Sequence, residues 1–189
     1  MPSETVFLLV RHAESTWNAA GRWQGQADPP LSDRGRQQAA QLARDLAVEP
    51  VDCVIASDLA RASETAAILA EVWGLSARLD SRLRELDVGA WAGLTREQIA
   101  SRTVAALERF ESGVPDARPG GGESRLELRR RVRTAAAEIA AAHPGERVAL
   151  VTHLGAVRAL CPGTELPNAG WRRLRARELA PPTLDETRA

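Results

Sequence analysis

The sequence predicts an α/β fold: a three-layer α/β/α sandwich around a mostly parallel central sheet. Three observations lead there. Short, wholly apolar runs recur along the chain, each ending abruptly at polar residues, as strands buried on both faces do. Amphipathic helical patterns separate them, and strand–helix alternation of this kind implies parallel pairing. The composition, 44% hydrophobic and 26% charged over 189 residues, supports an extensive core. A chain of this length buries about 70% of its unfolded surface without staples.

The first apolar run is Val6 to Val10, the second Val51 to Ala56, and the third Arg147 to Thr152. Ser32 caps a helix predicted to reach Ala47, with Ala39, Leu42, Ala43 and Leu46 on one face. A second helix runs from Ala60 to Trp73 and is closed by Gly74. Thr95 and Gln98 have capping-box spacing for a third, ending near Phe110. Glu123 to Ala142 forms a fourth, with Leu128, Val132, Ala135, Ile139 and Ala142 spaced for burial; Arg129, Arg130, Arg131 and Arg133 then read as a solvated face. Gly170 to Arg177 adds an edge strand. Val114 to Gly122, rich in Pro and Gly, reads as a flexible loop, and no strand leads into Gly120-Gly121-Gly122 to make it a phosphate loop. Residues 1–178 are expected to form one domain, with 86–125 partly a cap, and 179–189 a loose tail.

Composition excludes several functions. Basic and acidic residues balance at 25 each, so the positive field of a nucleic-acid binder is missing. Every basic side chain is arginine; without lysine there is no P-loop and no Schiff-base chemistry. No run approaches the ~18 apolar residues of a membrane span, and Met1 to Thr5 lacks a basic leader, which makes the cytoplasm the default address. Cys53 and Cys161 stand far apart, and Cys53 reads as a small core residue. The three histidines show no tight metal-ligand spacing, and His143, before Pro144-Gly145, reads as a helix-end feature.

In open parallel sheets, ligands gather beyond the carboxyl ends of the strands. Arg11-His12 follows the first run, Ser57 to Arg61 the second, and His153 the third; Glu85 lies in the connection between the second and third. Two histidines and two arginines at one sheet edge make a positive pocket suited to phosphate. Leu9-Val10-Arg11-His12-Ala13-Glu14-Ser15-Thr16-Trp17-Asn18 resembles the signature of the histidine phosphatase superfamily, which has the phosphoglycerate mutase-like fold. Further segments match in order: Trp23 to Gly25 with Pro30 to Gly35, Ser57 to Thr65, Leu83 to Gly93, Gly122 to Ser124, and Val151 to His153.

The resemblance implies a phosphomonoester hydrolase in which His12 becomes phosphorylated, and neutral imidazole is a sensible attacker of a phosphate dianion. Arg11, Arg61 and His153 would bind the phosphoryl oxygens, as catalytic partners of His12. Arg61, in the first turn of its helix, opposes the helix dipole, a placement that an anion would justify. Glu85 would protonate the leaving group and deprotonate water; Asp87 reads as a turn partner and Glu123 as a helix-start charge. Asn18, Gln24 and the backbone N–H of Leu154 are candidate substrate contacts, while Trp17, Trp23 and Trp91 flank site segments. No metal or other cofactor is expected, and the implied partner is a small phosphorylated metabolite; association into a homodimer is left open.

The chain departs from the family pattern at Ala13 and Leu154, where glycine is usual, and in a short stretch after Arg158. The same fold hosts mutases, which return the phosphoryl group to a bound product and usually carry longer insertions over the site. A cofactor-dependent phosphoglycerate mutase is therefore the alternative, and a non-catalytic binding protein on the same fold the remote one.

Overall fold

The structure, a computed structural model, describes residues 4–179. Strand β1 (Val6–Arg11) opens the fold, followed by a single helical turn, α1 (Thr16–Ala19), and by α2 (Asp33–Leu46). Then come β2 (Cys53–Ala56), α3 (Ala60–Val72), the short β3 (Ala77–Leu79) and α4 (Arg96–Glu111). The chain finishes with α5 (Arg125–Ala142), β4 (Arg147–Thr152), α6 (Leu154–Leu160) and β5 (Trp171–Arg175). The five strands form one sheet in the order β3-β2-β4-β1-β5, parallel except for β5, which runs antiparallel along β1.

The apolar runs are continuous because both faces of the sheet are covered. Phe7, Leu9, Ile55, Val148 and Leu150 pack into a core with Ile99, Phe110, Leu128, Val132 and Ile139 from α4 and α5. The alternate residues Leu8, Val10, Val54, Ala56, Ala149 and Val151 meet α2 and α3 through Leu42, Leu46, Ala66 and Leu69. Successive strand side chains point to opposite faces, so one apolar run supplies two cores. The predicted face of α2 is buried in full.

Helix starts follow their caps. Ser32 accepts from Gly35 N at 2.9 Å, and Thr95 with Gln98 completes a reciprocal box, as does Ser124 with Glu127. His143 is the C-cap of α5, as its Pro-Gly context suggests.

Several expectations are corrected. Helix α5 begins after Ser124, so Glu123 lies outside it and instead clamps Arg131 at 2.6 and 2.9 Å. Arg131 also donates to the carbonyls of Arg82 and Arg84, and Arg133 is buried with its Nε donating to Ala159 O at 2.9 Å. The supposed solvated arginine face therefore turns largely inward, leaving Arg130 exposed along with Ala142. The segment 114–122 is packed, with Ala117 and Pro119 buried. A Cβ on Gly120 would meet Val88 O at 2.3 Å, and one on Gly89 would meet Gly120 O at 2.3 Å. These glycines permit two backbones to touch rather than one to move. Of the predicted tail, all but Leu179 lies outside the described residues.

Cys53, half-buried at the edge of the core, is approached by His143 Nδ1 at 3.7 Å, and that nitrogen pairs with Glu146 at 2.7 Å. Cys53 thus meets two metal-ligand types from a distant stretch, His143 and Glu146, at the amino ends of the strands, opposite the edge where His12 and His153 lie.

Candidate active site

Three strand ends and one connecting segment bring the predicted residues together. Arg11 ends β1 with His12 directly after it, and His153 directly follows β4 as the N-cap of α6. Arg61 lies in the first turn of α3, behind β2. The rings of His12 and His153 stand 5.0 Å apart, centroid to centroid. His12 is 3% exposed, Arg61 1% and His153 0%.

The tautomer of His12 is set by its neighbour. Nδ1 faces the carbonyl oxygen of Ala13 at 2.6 Å, so it carries the hydrogen and Nε2 keeps its lone pair. Burial first, and then the charges of Arg61 and Arg11, push the ring's pKa down to about 3. His153 is likewise held well below the ordinary histidine value, by burial and by Arg61. Its Nε2 shares a hydrogen with Ser57 Oγ at 2.8 Å. Both rings are neutral near pH 7.

Arg61 is clamped by two carbonyls of the loop between α1 and α2, donating to Ala27 O and Gly25 O at 2.8 Å each. Burial lowers its pKa to about 10, which leaves it charged. Arg11 donates to Leu166 O at 2.7 Å, which ties the loop after α6 to the site. Among the described residues, four buried side-chain nitrogens lack a partner, and Arg11 Nε, Arg61 Nε and His153 Nδ1 are three of them. Buried donors are ordinarily satisfied, so an orphaned set around one imidazole points to an absent acceptor.

Glu85 is fixed through both oxygens: Oε1 accepts from Leu86 N at 2.8 Å, and Oε2 from Gly155 N at 3.1 Å. A Cβ on Gly155 would fall 2.1 Å from Oε1. The glycine displaced by one position, after Leu154, is therefore what admits the carboxylate to the start of α6. Leu154 itself lines the cavity.

Asn18 and Gln24 also line it. Asn18 Oδ1 accepts from Ser15 N at 3.1 Å and Asn168 Nδ2 at 3.2 Å, and Ser15 Oγ donates to Gln24 Oε1 at 2.7 Å. The competing carboxylates are engaged elsewhere. Asp87 accepts from Gly89 N at 2.9 Å in a turn, as expected, while Glu123 serves Arg131. The cavity has a volume of about 570 Å³. Its aromatic wall is Trp23 and Phe110, and Trp23 stands edge-on to Trp91 at 5.4 Å. His153 lies behind this surface, against His12.

Sequence reasoning missed Ser57 as the partner of His153, Gly155, Asn168, and the outer arginines Arg125, Arg129 and Arg158 of the cavity wall. The Leu-Gly step after His153 was the one available signal; the others depend on packing.

Comparison with known proteins agrees with this geometry. The family model of the histidine phosphatase superfamily (branch 1) matches residues 7–183. A probable phosphoglycerate mutase of Salmonella choleraesuis is 40% identical over 183 residues, covering 94% of this chain and 83% of its own. The structure of mycobacterial glucosyl-3-phosphoglycerate phosphatase in complex with VO3 superposes with a TM-score of 0.82 at 34% identity, covering 89% of this chain and 90% of that one. YhfR of Bacillus stearothermophilus gives a TM-score of 0.79 at 28% identity, over 89% and 94% of the two chains. With the family match spanning nearly every described residue, the chain belongs to the histidine phosphatase superfamily.

Proposed function

We propose that the protein is a phosphomonoester hydrolase acting on a small phosphorylated metabolite through a phosphohistidine on His12, without a metal ion. The observation that carries this reading is the set of unpartnered nitrogens, the guanidinium donors Arg11 Nε and Arg61 Nε together with His153 Nδ1, beside an imidazole whose Nε2 lone pair is free. Permanently charged guanidinium groups can stabilise the charge spread over the equatorial oxygens of a phosphoryl group in flight. Two arginines and two neutral histidines suit an anion rather than a cation. The oxyanion VO3 in the mycobacterial relative fits the same chemistry.

In the first step His12 Nε2 attacks phosphorus, the bond to the ester oxygen breaks, and the carboxyl proton of Glu85 passes to that oxygen. In the second, water attacks phosphorus and gives a proton to the Glu85 carboxylate. The P–N bond breaks, and orthophosphate leaves with His12 neutral again. Asn18, Gln24 and Leu154 N–H are positioned on the cavity wall to hold the substrate.

His12→Ala should reduce turnover by about a thousandfold or more, since no other group is placed to carry the phosphoryl group. The wild-type protein should form an acid-labile phosphoprotein and keep turning over in the presence of a chelator. In water enriched in oxygen-18, each orthophosphate should gain one solvent oxygen. Near-normal rates in His12→Ala would refute the assignment. The second reading, a phosphoglycerate mutase, is favoured by the name of the Salmonella relative. It requires isomerised phosphate ester without released orthophosphate.

A further inference from the structure

The amino ends of the strands carry a second cluster of chemically capable side chains, away from His12. Cys53 opens β2, His143 is the C-cap of α5, and Glu146 immediately precedes β4. Among the described residues it is the one place where three thiol, imidazole or carboxylate groups converge, their ligand atoms lying within 4.8 Å of one another. Cys53 Sγ stands 3.7 Å from His143 Nδ1, and Glu146 Oε2 stands 2.7 Å from the same nitrogen. The backbone holds these positions by itself. Thr5 Oγ1 lies 2.9 Å from Ala140 O and 2.7 Å from His143 O, sharing its hydrogen between them, which ties the end of α5 to the chain entering β1. Gly145, at φ +79°, makes the turn, closed by Glu146 N donating to His143 O at 3.2 Å; Glu146 O accepts from Val6 N at 2.9 Å. Cys53 is in register with Val148 of β4. The cysteine therefore sits on the sheet, and the other two on a turn pinned to it.

A catalytic relay would be built differently. There the acid and the nucleophile occupy opposite nitrogens of the imidazole, so that the ring can pass a proton between its two sides. Here both approach Nδ1, while Nε2 is buried and meets no partner. Three different donor atoms aimed at one point make a coordination sphere. Zinc bonds of about 2.3 Å to sulfur and about 2.0 Å to nitrogen, at the tetrahedral angle, separate those two atoms by about 3.5 Å. The observed 3.7 Å needs almost no adjustment. The Glu146 side chain, 43% exposed, can swing back from Nδ1 to admit the ion, and its exposure leaves a path for solvent.

We propose that Cys53 Sγ, His143 Nδ1 and Glu146 Oε2 bind one Zn²⁺, with water as the fourth ligand, as a clasp between β2 and the turn that joins α5 to β4. On binding, the thiol proton passes to solvent and the ion takes the place of the hydrogen on Nδ1. The ring then keeps its hydrogen on Nε2, which meets no partner in either form, so the choice is made at Nδ1 alone. Thiolate and carboxylate together neutralise the ion. Sulfur and nitrogen ligands select zinc over magnesium or calcium, which take oxygen. None of the three residues lines the cavity beside His12. The ion therefore acts on stability, by binding the folded chain, and takes no part in the chemistry at His12.

The test titrates the metal-free protein with Co²⁺, whose thiolate complexes show a charge-transfer band in the near ultraviolet, and then with Zn²⁺ in competition. One ion per chain should bind with that band, Zn²⁺ should displace it, and the urea midpoint should climb with Zn²⁺ concentration. Cys53→Ser should abolish the band and weaken Zn²⁺ binding by about a hundredfold or more, beyond the loss of an outer-shell partner. Glu146→Gln should keep the band and weaken binding by about tenfold. Cys161→Ala, at the other cysteine, should change neither. Urea midpoints without metal show which variants are folded; if Cys53→Ser is not, Glu146→Gln on its exposed turn decides, and unchanged affinity there overturns the clasp. A missing band would also overturn it, and would be the result if His12 and His153 held the ion instead. So would equal Zn²⁺ affinity in wild type and folded Cys53→Ser, or a band that disappears with Cys161→Ala.

Discussion

At the scale of single residues, the site is built from backbone contacts that fix side chains before any ligand arrives. Ala13 O fixes the tautomer of His12, Gly25 O and Ala27 O aim Arg61, and two N–H groups hold Glu85. Preorganisation of this kind removes reorganisation from the chemical step. In Glu85→Gln the amide cannot deliver a proton, so alkyl phosphates should lose about 10²- to 10⁴-fold in kcat while nitrophenyl phosphate, whose leaving group needs little protonation, loses far less. Equal losses for both would remove Glu85 from the proton-transfer role. The placement of His12, His153, Arg11, Arg61 and Glu85 was legible because each follows a strand end or stands in an ordered motif. Arg131 and Arg133 were not. Four arginines within five positions cover most of a helix's circumference, and periodicity alone does not say which of them finds carbonyls to donate to.

At the scale of elements, β1, β4 and the capped helices could be read from pattern, since burial on both faces leaves an unbroken apolar signature. Strand β3, Ala-Arg-Leu, has an exposed side chain at two of its three positions and leaves no such trace. Helix α6 is too short for a periodicity, and it stops where Cys161-Pro162-Gly163 turns the chain toward β5. The glycine-rich stretch misled for a different reason, since the residue that allows flexibility also allows contact. Gly120 and Gly121 both have positive φ, +58° and +78°, but a Cβ on Gly121 would meet nothing within 4 Å. Gly120→Ala should therefore lower stability by about 1–3 kcal/mol, and by clearly more than Gly121→Ala, in urea unfolding. Matching losses would mean that backbone strain alone, without the close approach to Val88 O, explains both.

At the scale of the whole molecule, the buried neutral histidines link stability to pH. In the unfolded chain His12 and His153 take up protons near 6.5, but folded they resist protonation, His12 down to about 3. Between those values the unfolded state binds more protons, so the contribution of these two rings to stability falls as pH drops below about 6.5 and is level above it. Each ring contributes a slope of up to about 1.4 kcal/mol per pH unit. Urea midpoints from pH 7.5 to 5 should fall less steeply in His153→Asn than in the wild type, and parallel curves would contradict the burial of a neutral ring.

The order of the sheet also bears on how the chain is made. Strand β1 pairs only with β4 and β5, Val6 lying opposite Arg147 and Arg175. At ribosomal speed, the first strand to emerge waits on the order of ten seconds for its neighbours. Throughout that interval the apolar strand that leads into His12 lacks its partners in the sheet. Strand pairing at such sequence separation is slow and exposes the chain to aggregation. No nascent fragment ending before β4 can therefore bring His12 and His153 together, and that pair of rings exists only once the last quarter of the chain has been synthesised.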